Sequence, residues 1–162
     1  KDGLGHSIAV GVQVALQFKP DAMLLVMADM PFVEERLLRD TVARLGVRGA
    51  GPDIVHSGGT DGVRPPTAFN SACFDSLALL RGDDGAKAVV RSGQFDVVGL
   101  ETPAPLLFDI DTKEDLDIAR GQITIRSRYA HQAPLLSTNH SPSDPIDLRT
   151  YRAGPRKRAG GR

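Results

Sequence analysis

LLVMADMPFV, residues 24–33, stays apolar up to Ala28, turns acidic at Asp29 and meets Pro31 two positions later. With Ala22 and Met23 the apolar run covers residues 22–28. It is too short and too uniformly apolar for a surface helix. It predicts a strand buried on both faces, the mark of a parallel sheet covered by helices. Pro31 lacks a backbone donor and stops that strand. Asp29 therefore stands where a buried strand ends, which leaves two readings. It caps the following helix, with Pro31 as a helix-start signal, or it sits at the carboxyl edge where open α/β sheets bind small molecules.

The flanking sequence repeats the alternation of strand and helix. Upstream, DGLGHS leads into a helix with Ser7 as N-cap, Ile8, Val12, Ala15 and Leu16 at helical spacing, and Pro20 as its end. Downstream, residues 33–46 predict an amphipathic helix with acidic residues in its first turn and Gly46 at its close. Residues 53–58 predict a strand, followed by a loop to Pro66 and an extended piece at 67–70. Two short helices are expected at 71–82 and 84–93, punctuated by Gly82, Gly85 and Gly93. Strands at 95–101 and 106–110 and a helix at 111–120, entered through Thr112 and Asp115, complete the pattern. This alternation predicts a layered α/β domain with a mostly parallel sheet and helices on both faces.

LLFDID, residues 106–111, delivers a second acidic end. Asp109 and Asp111 share a side if the segment is extended. Asp111 reads as a cap of the next helix. Asp109 stands inside the apolar stretch, where a carboxylate costs desolvation energy unless it is paired or holds a metal. Two strand-end carboxylates from distant parts of the chain suggest one divalent cation between them. Mg²⁺ suits oxygen ligands and takes the rest of its shell from water and phosphates, which points to phosphate chemistry. His6, His56, His131 and His140 are scattered, so no zinc spacing is present. Gly3 and Gly5 allow close backbone approach before a helix N-terminus, either to an oxygen-rich ligand or simply as an ordinary loop.

Composition bounds the reading. The 162 residues are enough for one α/β domain, and 41% hydrophobic with 25% charged residues is the balance of a soluble globular chain. No apolar run approaches the roughly 18–20 residues of a membrane span. The single Cys73 excludes an internal disulfide and fits a reducing, cytoplasmic setting; it reads as a small helix residue and not a nucleophile. Charge is uneven: from Gly121 onward eight Arg or Lys face two Asp, whereas the first 120 residues hold 12 basic and 18 acidic side chains. An acidic body argues against nucleic acid as a partner. Residues 1–120 are expected to form the domain, and residues 121–162 a basic, disordered tail.

GLGHSIAVGV, LLVMADMPFV, PPTAF, GDDGAKAVV and LLFDIDTKEDL occur in the order and rough spacing seen in MobA-like nucleotidyltransferases. The chain most resembles the molybdenum cofactor cytidylyltransferases, over residues 3 to about 120. The resemblance implies a three-layer, Rossmann-like α/β fold and a Mg²⁺-dependent reaction. CMP or GMP would move from CTP or GTP onto a phosphorylated acceptor such as molybdopterin, releasing pyrophosphate. Asp29 matches the carboxylate for Mg²⁺ and nucleotide phosphate, and Asp109 the second metal-side carboxylate, so these two would be catalytic. Gly5, His6 and Ser7 match the loop against base and ribose, and Pro66 a segment on the acceptor side.

Two departures stand out. Arg64 and Pro65 replace the Gly-His or Gly-Asn that commonly precedes the acceptor-side proline. The family's opening strand and its Leu-Ala-Ala-Gly-x-Ser-x-Arg-Met-Gly loop, with a following Lys, have no counterpart before Gly3. The chain is thus expected to be the C-terminal part of a nucleotidyltransferase domain, truncated at the N-terminus. Losing one such phosphate donor typically costs about 10²–10³-fold in rate, so little transferase activity is expected of this polypeptide alone. The alternative is a non-catalytic module that keeps the fold and holds an acidic partner, such as a molybdoenzyme maturation factor, through its basic tail.

Overall fold

Period-two alternation along three short strands sorts their side chains onto two faces of one sheet. Met23, Leu25, Ile54 and Phe69 join one apolar cluster, while Ala22, Leu24, Val55 and Ala68 join another. The structure, a computed structural model, describes residues 3–46, 50–58, 62–83 and 85–130. Its elements run α1 (Gly3–Leu16), β1 (Ala22–Leu25), α2 (Glu35–Ala43), β2 (Ile54–His56), β3 (Thr67–Asn70), α3 (Phe74–Ala78), α4 (Lys87–Arg91), β4 (Val97–Gly99) and α5 (Lys113–Ala130). Residues Lys1–Ile123 form one compact unit, which holds every element but the C-terminal part of α5. Of the expected tail, residues 121–162, the part from residue 131 onward lies outside the described residues.

The strand order is β1-β3-β2-β4. β3 runs antiparallel to both β1 and β2, and β2 is parallel to β4. Three of the four strands thus share one direction, as a mostly parallel α/β sheet requires, and β3 opposes them. The reason is the connection. Only the ten residues 57–66 separate β2 from β3, and a parallel return needs a crossover of about a dozen residues or more. Helices α1, α3 and α4 bury Ile8, Val12, Phe74, Leu77, Val89 and Val90 against one face of the sheet. α2 packs on β1, β2 and β3 from the other face, with Leu45 just beyond it on Val55 and Ala68. Three layers result.

Several local expectations need correction. β1 ends at Leu25, and its residues are half-buried instead of fully enclosed; Val26 is 43% exposed. Both faces are covered, but among the described strands β1 pairs only with β3, so one edge stays accessible. α1 begins at Gly3, ahead of Ser7. Its first turn is satisfied by a tertiary partner, since the Gly5 N–H donates to the Gly82 carbonyl at 2.8 Å, and no Ser7 cap is needed.

Residues 106–110 are not a strand. Ala104–Leu107 form a 3₁₀ turn with Pro at its start, and the prolines at 103 and 105 leave too few backbone donors for a ladder. α5, by contrast, continues ten residues past Arg120 to Ala130. Gly121 directly after Arg120 is a C-cap signal in the sequence, yet a glycine inside a helix costs only about 1 kcal/mol and the helix runs through it. Its start is as read from sequence. Asp115 Oδ2 accepts from the Thr112 hydroxyl at 2.7 Å and the Thr112 N–H at 2.9 Å, while the Asp115 N–H donates back to Thr112 Oγ1 at 3.1 Å. Those bonds hold the Asp115 carboxyl below the usual carboxylate range.

Candidate functional site

The two acidic segments are joined by the apolar residues that alternate with their carboxylates. Met30 and Leu107 are buried together with Leu37 of α2, with Met27 and Val33 packed against them. The rings of Phe32 and Phe108 lie 5.9 Å apart and tilted by 45°, a favourable aromatic arrangement. The Ile110 N–H donates to the Asp29 carbonyl at 3.0 Å. These contacts pin a turn after β1 to a segment some 80 positions later in the chain.

Capping is not what Asp29 does. The N-cap of α2 is Glu34, well downstream, and among the described residues the Asp29 carboxylate has no hydrogen-bond or ion-pair partner. Asp111 does not cap α5 with its side chain either; Thr112 fills that role. Asp109 is the more exposed of the two proposed ligands, and it is paired. Arg64 Nη2 lies 3.3 Å from Asp109 Oδ1, with the two side chains 41% and 49% exposed. The desolvation expected for a carboxylate inside an apolar run is therefore absent, because the 3₁₀ turn delivers Asp109 to the surface.

Asp29 and Asp109 line one cavity of about 360 Å³ beyond the carboxyl end of β1. Its apolar wall comes from Leu4 and Ile8 of α1, Leu25, Met27, Val63 and Val90. Its charged groups are Asp29, Asp83 and Asp109 with Arg64 and Lys87. Sequence reading assigned no role to Asp83 or Lys87, although both lie in GDDGAKAVV. Arg64 registered only as a departure from a pattern.

The remaining residues predicted to form the site take other places. Gly5, His6 and Ser7 lie on α1 between the two cavity-lining residues Leu4 and Ile8, but do not line the cavity themselves. Gly5 is buried against the loop at 81–82: a Cβ there would meet the Arg81 and Gly82 carbonyl oxygens at 2.8 and 2.9 Å. The Gly5 N–H is spent on Gly82 and is not a free donor for a ligand. Gly5→Ala is accordingly expected to lower stability by about 1–3 kcal/mol through overpacking. Thermal melts check this. A variant with unchanged Tm would show that the contact with the 81–82 loop is dispensable.

Pro66 is fully buried and follows a cis peptide bond from Pro65, with its carbonyl accepting from the Ser57 hydroxyl at 3.0 Å. Its neighbours Pro65 and Thr67 line the cavity in its stead. His56, at the end of β2, is buried with Nδ1 accepting from the Gly58 N–H at 3.2 Å, and burial pushes its pKa down toward the neutral ring. Cys73 is buried, and desolvation together with the Asp53 carboxylate pushes its thiol up to about 12. It is no nucleophile.

Among the described residues no three His, Cys, Asp or Glu side chains converge as a ready metal cage. Two carboxylates on one cavity are nevertheless the donor set of a hard cation that completes its shell with water and substrate phosphates. The residues present fit such an ion.

A three-layer α/β domain with a charged cavity beyond the carboxyl end of a strand has that cavity where open α/β sheets bind their ligands. The chain belongs to the MobA-like NTP transferase family, whose domain it matches over residues 1–97. It is 32% identical to the purine catabolism protein PucB of Bacillus subtilis over 120 residues, covering 73% of this chain and 56% of PucB. It is also 32% identical over 127 residues to the phosphoenolpyruvate guanylyltransferase of Sphaerobacter thermophilus, covering 76% of this chain and 58% of that enzyme. Among solved structures, Rv0371c of Mycobacterium tuberculosis superposes with a TM-score of 0.56 at 29% identity, covering 68% of this chain and 58% of Rv0371c. A manganese complex of Rv0371c gives a TM-score of 0.51 at 29% identity, covering 65% of this chain and 57% of that one. The chain thus spans just over half the length of these relatives. Among the described residues no helix is long and apolar enough to cross a membrane.

Proposed function

We propose that the chain carries the metal and acceptor side of a nucleotidyltransferase, with Asp29 and Asp109 as the ligands of one divalent cation. The observation that carries this reading is the meeting of those two carboxylates on one cavity, built by the apolar clamp of Met30, Phe32, Leu107 and Phe108. The reaction moves CMP or GMP from CTP or GTP to a phosphorylated acceptor. An acceptor phosphate oxygen forms the new bond at the nucleotide's α-phosphorus, and pyrophosphate leaves with the electrons of the broken bond. The cation, Mg²⁺ or Mn²⁺, supplies charge neutralisation at the phosphates when bound. The manganese complex of Rv0371c supports a divalent ion.

The names of the relatives narrow the chemistry without choosing the acceptor. Phosphoenolpyruvate, in the name of one of them, is phosphorylated, as is molybdopterin, the acceptor suggested by motif resemblance. Arg64 and Lys87 are the cavity's cations for such a group. Gly5, His6 and Ser7 act on the nucleotide side by fixing how α1 meets the cavity wall, and Pro66 shapes the acceptor side from behind Pro65. The proposed setting is the cytoplasm, with small-molecule partners only.

Calorimetric titration of the chain with CTP and with GTP, each with and without Mg²⁺ or Mn²⁺, tests the reading. Binding of at least one nucleotide that requires the metal is the expected result, followed by slow, acceptor-dependent pyrophosphate release. Absence of metal-dependent binding for both nucleotides overturns it. Tight binding without turnover on either acceptor favours a binding module in place of a transferase.

A further inference from the structure

We infer that Arg64 competes with the metal for Asp109 and thereby sets how tightly the site holds a bare cation. The inference rests on the metal reading proposed above. The Arg64 guanidinium has two anchors: it donates to the Leu107 carbonyl at 2.8 Å and to Asp109 Oδ1 at 3.3 Å. The carbonyl bond is the shorter and less exposed of the two, so it holds the side chain in the cavity whichever way Asp109 turns. The carboxylate oxygen is the exchangeable partner. A divalent cation that recruits Asp109 must therefore take an oxygen from a guanidinium that stays beside it. Asp29 has no such competitor among the described residues.

The consequence is a site weak for the free ion. The cation gains its missing ligands from nucleotide phosphates, so it binds productively as the metal–nucleotide complex and not ahead of it. Arg64 is thus a positioning residue that acts through Asp109. Lys87 lines the same cavity with the same charge but makes no ion pair with a described residue, which makes it the natural control.

The experiment is a titration of the full chain with Mn²⁺ alone, read by the electron paramagnetic resonance signal of the free ion. Arg64→Gln is expected to tighten the Mn²⁺ Kd by about two- to fivefold, the worth of an exposed ion pair. Lys87→Gln should change it clearly less, and Asp29→Asn and Asp109→Asn should lose the site. A gain in affinity is a readout that structural damage does not produce, and circular dichroism confirms that each variant is folded. Binding that needs both carboxylates but is unchanged or weaker in Arg64→Gln overturns this inference alone. Equal tightening in Lys87→Gln also overturns it, because cavity charge and not pairing is then responsible. No saturable Mn²⁺ binding in any variant, Arg64→Gln included, overturns this inference, while the metal reading stands or falls on the metal-dependent nucleotide binding measured in the calorimetric titration.

Discussion

Replacing Asp29 with Asn is expected to weaken metal-dependent nucleotide binding by at least about 100-fold, because groups one shell further out already cost roughly 10–100-fold in metal affinity. The substitution keeps shape and removes charge. The carboxylate makes no hydrogen bond within the described residues, so the fold should not register the change. The segment is held by other groups: the Asp29 carbonyl accepts from the Ile110 N–H, and Met30 and Phe32 are buried on either side of Pro31. A Tm equal to that of the parent, with binding lost, is the expected pair of results. Asp111→Asn is the matched control. Asp111 shares the LLFDID stretch with Asp109 but does not line the cavity, and its variant should bind as the parent does. Asp29→Asn with unchanged nucleotide affinity would falsify the assignment of the metal to this carboxylate, whatever the family resemblance.

The two acids were legible in the sequence because an apolar run that ends on a carboxylate is a local pattern. Their meeting was legible only through the general rule that ligands gather at the carboxyl ends of α/β strands. What escaped was set by longer-range packing. Apolar spacing cannot tell a strand from a 3₁₀ turn at 106–110; the prolines at 103 and 105 were the available signal. Arg64 sits in a loop with no periodicity, and its reach to Leu107 and Asp109, more than 40 positions away, depends on how that loop folds. Gly5 left two readings open in the sequence, a close approach for a ligand or an ordinary loop, and local pattern could not show that Arg81 and Gly82 fill the space beside it. The antiparallel β3 followed from the ten residues before it, too few for a crossover, a clue that the strand-helix alternation elsewhere in the chain outweighed.

β3 also marks where the domain is most vulnerable. Phe69 is 1% exposed and heads the fully buried side chains by volume. It stands opposite Met23 on β1 and Ile54 on β2, so one ring packs across three strands and under the helices that share its cluster. Phe69→Ala is therefore expected to cost about 3–5 kcal/mol, a large part of the roughly 5–15 kcal/mol that holds an ordinary domain together. Urea unfolding would show this as a lower midpoint with an unchanged slope. Phe69→Leu keeps most of the volume and should lose much less. The site would feel the larger change, since Val63, Arg64 and Pro65 lead directly into β3 and Thr67 lines the cavity. Metal and nucleotide bound to the folded form alone should restore part of the loss, about 2.7 kcal/mol at 100-fold excess over Kd. A cost below about 1 kcal/mol, outside the range for a buried ring, would mean that the sheet is not closed around Phe69. Core packing and the acidic cavity would then not be coupled through β3.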